Sequence, residues 1–113
     1  MHEMSIAQNI LEIVDEYMVR EPAAKLLEVV VEIGEMVAVV PDSLYFCYDV
    51  LVENSKYRDS KLIINILPLQ GSCRSCGHAF KIENYNFNCP SCHSPDLHVQ
   101  GGQELRITHL EVA

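Results

Sequence analysis

The sequence is short of positive charge: eight Lys and Arg stand against sixteen Asp and Glu, for a formal net charge of −8. Domains that neutralise nucleic-acid phosphates are usually strongly basic, so this balance argues against nucleic acid as a partner. No apolar run approaches the ~18 residues that a membrane helix needs, and the opening MHEMSIAQNILEIVDE lacks the basic region and unbroken apolar stretch of a secretory signal. A soluble, cytoplasmic protein is expected. Signatures of catalysis are missing too: there is no Ser or Cys nucleophile paired with a base, no Gly-rich phosphate loop and no catalytic metal geometry. The chain is therefore not expected to be an enzyme. At 113 residues it has room for one compact domain, or a small domain carrying a smaller module. The 49% hydrophobic and 21% charged content is ordinary for a globular chain, so a folded core is within reach.

Charge and cysteine are unevenly distributed. Residues 1–70 hold twelve acids and five bases, whereas residues 71–99 hold two of each together with four of the five cysteines. The second stretch contains GSCRSCGHAFKIENYNFNCPSCHSP, rich in Ser, Asn, Gly and Pro and poor in aliphatic residues, so no hydrophobic core of its own can hold it. After Gly101 and Gly102 the aliphatic pattern returns in ELRITHLEV. This ordering predicts a discontinuous main domain, residues 1–70 and 100–113, interrupted by a small module at 71–99. The short junctions at Pro68–Ser72 and Gly101–Gly102 are candidate hinges.

Apolar spacing predicts a first helix over about Met4–Val19, with Met4, Ala7, Ile10, Leu11, Val14, Tyr17 and Met18 on its stripe. Ser5 and Gln8 can form a capping box, and Pro22 ends the run. Leu26–Ile33 alternates as a half-buried strand with Leu27, Val29, Val31 and Ile33 in phase, and Gly34 marks a bulge or turn. Pro41-Asp42-Ser43 opens a second helix to about Glu53 that buries Leu44, Cys47, Tyr48 and Leu51. Lys61–Leu67 and Glu104–Val112 read as further strands; in the last, Leu105 and Ile107 lie on one phase and Leu110 and Val112 on the other. The fold class is thus α+β: two helices with a three-stranded sheet, plus an inserted four-cysteine module.

Cys73-Arg-Ser-Cys76 and Cys89-Pro-Ser-Cys92 are two CxxC pairs twelve residues apart. In each, a short turn aims backbone N–H groups at the sulfurs, and two such knuckles complete a tetrahedron around one metal. The chemical alternatives are a disulfide framework, a thioredoxin-like redox pair, an Fe–S cluster and a rubredoxin-like iron. Disulfides are disfavoured in a cytoplasmic setting, and a redox CxxC normally follows a strand and opens a helix rather than sitting in Gly- and Pro-containing loops. A zinc ribbon with Cys73, Cys76, Cys89 and Cys92 as ligands is the preferred reading. With no open coordination position, the zinc would be structural. His78 and His93 follow the knuckles and read either as loop polarity or as pH-responsive alternate ligands.

Met1-His2-Glu3 gains chemistry from its position. A free α-amine, an ionised amide nitrogen and the His2 imidazole can form fused chelate rings in the planar, nitrogen-rich geometry that Ni(II) and Cu(II) prefer. Glu3 can add its amide nitrogen or its carboxylate. On its own such a short motif matches by chance, and an ordinary exposed N-terminus is the bland alternative.

Taken together, the starting MHE, the helix containing SIAQNILEIV, the run VVVEIGEMVAVVPDSLYFCYDVL, the CRSCGHAF and CPSCHS knuckles and the closing GQELRITHLEV resemble the HypA/HybF family of hydrogenase maturation proteins. The resemblance covers nearly the whole chain and implies a nickel metallochaperone whose helix-and-sheet domain carries nickel at MHE and whose inserted ribbon carries structural zinc. It places nickel binding on His2, with Glu3 alongside, and zinc binding on Cys73, Cys76, Cys89 and Cys92. It also implies partners: a nickel-handling GTPase of the HypB type, the hydrogenase large-subunit precursor and, in some organisms, urease maturation proteins. His93 departs from the pattern, standing where a Gly often follows the second knuckle of a zinc ribbon.

The competing class is a zinc-ribbon interaction module without nickel, for which a basic, aromatic-bearing ribbon would speak. Here the ribbon is charge-neutral, with Phe80, Tyr85 and Phe87 as its aromatics. Cys47 reads as a buried small hydrophobe. Glu28, Glu32 and Glu35 read as a solvated face or as a docking surface for a basic partner. His109 carries no assignment, and His98 is a candidate further nickel ligand if ribbon and main domain close on each other.

Overall fold

The computed structural model describes residues 2–113. In chain order it contains α1 (Glu3–Met18), β1 (Leu26–Gly34), a 3-10 turn (Glu35–Val37), α2 (Pro41–Val52), β2 (Lys61–Leu67), β3 (Leu69–Cys73), β4 (Ala79–Ile82), β5 (Leu97–Gln100) and β6 (Leu105–Val112). They build two three-stranded sheets, ordered β2-β1-β6 and β4-β3-β5, in a molecule extending 56 × 24 × 16 Å. The two helices, the first sheet and the inserted four-cysteine module are those expected from the sequence; the second sheet is the module's own framework.

Helix α1 starts one residue before the expected position, with His2 extended as its N-cap and no side-chain cap bond. Ser5 therefore lies inside the first turn, and the Ser5–Gln8 capping box does not form. Glu3 stands in that first turn, where the helix dipole favours an acid. The buried stripe is Ile6, Ala7, Ile10, Val14 and Met18. Met4 and Tyr17, expected on it, lie 37% and 54% exposed, because the stripe is centred on Ile6, Ile10 and Val14.

In the first sheet β1 is central, parallel to β2 through the α2 crossover and antiparallel to β6. Two register shifts explain the strands' irregular phases. Leu26 pairs with Val112 but Glu28 with Glu111, so Leu27 is an extra residue, and Leu26 rather than Leu27 joins Val29, Val31 and Ile33 in the core. Val30 pairs with His109 but Val31 with Ile107. Thr108 is the extra residue here, its Oγ1 donating to the Val30 carbonyl at 3.2 Å. This bulge accounts for the phase change along the last strand and lets both Ile107 and Leu110 pack on the core.

Helix α2 buries Leu44, Tyr48 and Val52, and Cys47 and Leu51 lie half-buried against the same cluster. Tyr48 is fully buried and its hydroxyl is satisfied by Ser60 Oγ at 2.6 Å, which donates onward to the Tyr57 carbonyl at 2.6 Å. Tyr57 in turn donates its hydroxyl to Asp15 on α1. Burial of these rings without such partners would leave polar oxygens desolvated at a cost of about 1–3 kcal/mol each.

The second sheet stands outside that core and runs from Leu69 to Gln100. It buries Leu69, Cys73, Ile82 and Cys89, too few aliphatic side chains to hold a sheet unaided. The two sheets meet at a tight backbone seam. A Cβ on Gly34 would lie 2.1 Å from the Gly102 carbonyl carbon, and a Cβ on Gly102 would lie 2.7 Å from Leu69 and 2.8 Å from Met36. Across this contact the Gly34 N–H donates to the Glu104 carbonyl at 2.7 Å and the Met36 N–H to the Gly102 carbonyl at 2.6 Å. The return segment, expected as a candidate hinge, is thus bonded to the end of β1 rather than free of it.

Candidate metal centres

The module's two knuckles repeat one hydrogen-bond pattern. In the first, the Cys73 N–H donates to the His78 carbonyl and the Gly77 N–H to the Cys73 carbonyl, both at 2.8 Å. In the second, the Cys89 N–H donates to the Ser94 carbonyl at 2.9 Å and the His93 N–H to the Cys89 carbonyl at 2.8 Å. Gly77 and His93 are thus equivalent positions, and both have positive φ, 79° and 64°. Glycine adopts this conformation freely, whereas a residue with a Cβ pays about 1–2 kcal/mol. The departure at His93 is therefore a strained backbone position. The hydroxyls of Ser75 and Ser94, 3.1 Å apart, join one knuckle to the other.

This framework brings four sulfurs together. The Sγ atoms of Cys73, Cys76, Cys89 and Cys92 all lie within 4.8 Å of one another, with 3.5 Å between Cys73 and Cys92 and 3.6 Å between Cys76 and Cys89. Both separations are far too long for a disulfide. They are close to the ~3.8 Å edge of a tetrahedron with metal–sulfur bonds of about 2.3 Å. Donor chemistry and spacing fit a zinc ion, which would supply the positive charge that four thiolates at this separation require.

The four thiols sit in unequal surroundings. Cys73 is lowered to about 6, first by the Cys76 amide and then, against burial, by the Ser75 amide and the neighbouring thiols. At Cys89 burial pushes upward, but the Cys92 and Ser91 amides and two thiols outweigh it and leave the group lowered. Cys76 and Cys92 go the other way. The His78 and Ser94 amides pull them down, while hydrogen bonds with neighbouring thiols and burial push them up more strongly, Cys92 to about 12. The surroundings thus favour the thiolate at Cys73 and Cys89 and the thiol at Cys76 and Cys92. With a cation, all four can ionise and ligate.

Near the amino-terminal end of the chain, α1 and α2 pack so that the starts of the two helices border an open cleft of about 500 Å³ lined by His2, Glu3, Met4, Asp42, Ser43, Phe46 and Cys47. His2 is exposed and Glu3 half-buried, and the His2 carbonyl accepts from the Ile6 N–H at 3.2 Å. Met1, whose α-amine belongs to the expected chelate, lies outside the described residues. Asp42 and Cys47 were not associated with this end of the chain by sequence reasoning. Nothing local announces a meeting of residues forty positions apart; helix periodicity placed Cys47 on an inward face but not which neighbour it meets.

The remaining histidines are scattered. His98 sits exposed on β5 in register with Ser72 and does not line the His2 cleft. His109 is exposed on β6 opposite Val30. The His78 ring stacks on Phe80, centroids 5.7 Å apart. Glu32 is engaged by Arg106 at 2.8 Å. Among the described residues, no helix is long and apolar enough to cross a membrane.

Residues 1–112 match the family described as "Hydrogenase/urease nickel incorporation, metallochaperone, hypA". The chain is 37% identical over 112 residues to the hydrogenase maturation factor HypA of Geobacter metallireducens, covering 99% of each chain. It is 37% identical over the same length to that of Actinobacillus succinogenes, again covering 99% of each. Among solved structures it resembles the nickel metallochaperone HypA from Helicobacter pylori with a TM-score of 0.64 and 29% identity, over 98% of this chain and 97% of that one. A second HypA solution structure aligns with a TM-score of 0.69 and 28% identity, over 99% and 96% of the two chains.

Proposed function

The chain belongs to the HypA family of hydrogenase and urease nickel-incorporation metallochaperones, and on that premise we propose that it binds Ni(II) at its amino terminus and delivers it during maturation of nickel–iron hydrogenase. The nickel ligands are the Met1 amine, the His2 imidazole and the amide nitrogens of the first residues, with Glu3 alongside. Zinc is held by Cys73, Cys76, Cys89 and Cys92 as a structural ion. The chain divides accordingly into a discontinuous nickel-binding domain, residues 1–70 and 100–113, and a zinc ribbon, residues 71–99.

The observation that carries this reading is the separation of two ligand sets. Four sulfurs lie within 4.8 Å of one another, a set that would fill the coordination shell of one tetrahedral ion, whereas His2 and Glu3 border an open cleft. Thiolates suit zinc and a planar nitrogen set suits nickel, so ligand chemistry sorts the two metals. A terminal chelate can also be dismantled one donor at a time, which suits a protein that must surrender its metal. Because its amine, amide and imidazole must be deprotonated to bind, nickel affinity falls as pH falls.

The partners in this reading are a HypB-type GTPase, the hydrogenase large-subunit precursor and, where urease is present, its maturation proteins. Radiolabelled nickel tests it: loaded, zinc-replete protein mixed with purified nickel-free precursor and the GTPase transfers label to the precursor. Label that stays on the chain, or that reaches the precursor equally fast from free nickel, contradicts delivery.

A further inference from the structure

The first sheet, ordered β2-β1-β6, has two outer strands, and the chain treats them differently. Strand β2 begins with Lys61, and its Ile64 N–H donates to the Tyr45 hydroxyl at 3.1 Å; a lysine and an occupied amide both blunt a sheet edge. Strand β6, LRITHLEV, has neither lysine nor proline, and among the described residues no side chain accepts from its backbone amides. The apolar face beside this edge is open as well. Two clefts of about 300 Å³ each separate α1 from β6, one bordered by Ile10, Ile13 and Leu105, the other by Tyr17, Ile107 and Leu110.

The strand is complementary to itself once its bulge is set aside. Register with β1 puts Leu105, Ile107, Leu110 and Val112 opposite the core residues Ile33, Val31, Val29 and Leu26, and puts Arg106, His109 and Glu111 opposite Glu32, Val30 and Glu28 on the other face. Without the extra Thr108 the strand reads Leu-Arg-Ile-His-Leu-Glu-Val, a pattern symmetric about His109. A second β6 running antiparallel, with His109 opposite its own copy, sets Leu105 against Val112, Ile107 against Leu110 and Arg106 against Glu111, each pair twice and on one face. A slip of one residue sets core-facing side chains against outward ones, and a slip of two separates both charge pairs.

Both charges are placed for such a partner. Arg106 gives its Nε to Glu32 at 2.8 Å, which leaves its terminal nitrogens free to reach across the edge. Glu111 lies opposite Glu28 with no ion pair among the described residues, a like-charge pairing that a cation from outside relieves. We propose that β6 is the interface of a two-fold dimer, in which antiparallel β6–β6 pairing joins the first sheets of two copies into one sheet of six strands and apolar side chains of each copy close the clefts of the other. A foreign strand would satisfy the backbone alone; a second copy also matches every charge and every apolar residue, as an isologous contact must. The dimer needs no nickel and no other protein, so it stands apart from the delivery function.

Sedimentation equilibrium of the zinc-loaded, nickel-free full chain tests the proposal. The mass is expected to rise from 12.8 kDa toward twice that value with concentration, and amide exchange of the wild-type chain should show protection gained along β6 but not along β2. Arg106→Glu and Glu111→Arg each set like charges opposite one another twice and are expected to weaken association ~10-fold or more. An equimolar mixture of the two variants should recover wild-type association, because every reversed charge then meets its opposite. A mass that stays at 12.8 kDa, protection gained away from β6, dimers that persist in both variants, or a mixture of the two variants, each with β1 protected from exchange, that fails to recover would overturn it.

Discussion

The chain contains two three-stranded sheets held by different means. The first is covered by α1 and α2 and shares one apolar core; the second has a handful of buried side chains and four convergent sulfurs. Burying aliphatic surface and binding a metal are alternative solutions to the same entropic problem, and the smaller sheet, with its converging sulfurs, is suited to the one that needs fewer residues. The division also suits the proposed function, in which the ion that holds the ribbon would be kept chemically apart from the one that is carried.

The largest test of this contrast is metal removal. Chelation of zinc, or Cys89→Ser, is expected to unfold β3–β5 and leave β1, β2 and β6 protected from amide exchange, because a structural zinc contributes on the order of 10–16 kcal/mol at neutral pH. Uniform loss of protection would mean that the sheets fold as one unit. The converse perturbation is Leu44→Ala, which opens a cavity at a fully buried position of α2. It should cost about 2–5 kcal/mol in denaturant unfolding of the main domain while zinc stoichiometry stays the same.

A smaller effect sharpens the comparison inside the ribbon. His93→Gly removes the strained Cβ at φ 64° and should slow zinc loss to a chelator by roughly tenfold or less, as expected for about 1 kcal/mol. Gly77→Ala, at φ 79°, should hasten it. Identical rates in the two variants and the parent would show that knuckle strain does not reach the metal.

Alkaline pH separates the regions most gently. Burial, more than the Ser60 hydrogen bond and Asp49, raises Tyr48 above the ordinary 10.0. Burial and then Asp15 raise Tyr57 still further. Groups raised on folding contribute stability that is complete below their unfolded value and lost as pH climbs through the folded one. The main domain should therefore weaken above about pH 10, with Tyr57→Phe flattening part of the decline. Acid acts on the other half, since protons compete with zinc for the thiolates. A midpoint of main-domain unfolding independent of pH above 10 would remove the tyrosines from this account.

Local signals made much of this legible. Pro41 and the stripe of α2, the β-branched run of β1 and the paired CxxC spacing each specify their element through covalent geometry or metal chemistry. The phase change in ELRITHLEV announced a bulge, and Thr108 is where it lies. Features that depend on distant partners were illegible. Ile6 displaces Met4 from the stripe because of how α1 sits on the sheet, and the Gly34–Gly102 seam exists only once residues sixty-eight positions apart meet. The same is true of the cleft joining His2 to Asp42 and Cys47. The ribbon strands escaped notice because their composition carries little hydrophobic alternation.

The central claim, that cargo nickel sits at the amino terminus apart from structural zinc, is tested most directly by nickel titration calorimetry on zinc-loaded protein with a native amino terminus. It is run beside His2→Ala and beside a chain extended by one residue before Met1. Stoichiometric nickel binding by the parent that disappears in both variants, with zinc retained in all three, is the predicted result. Nickel binding that survives in both would contradict the claim and place the cargo elsewhere on the chain.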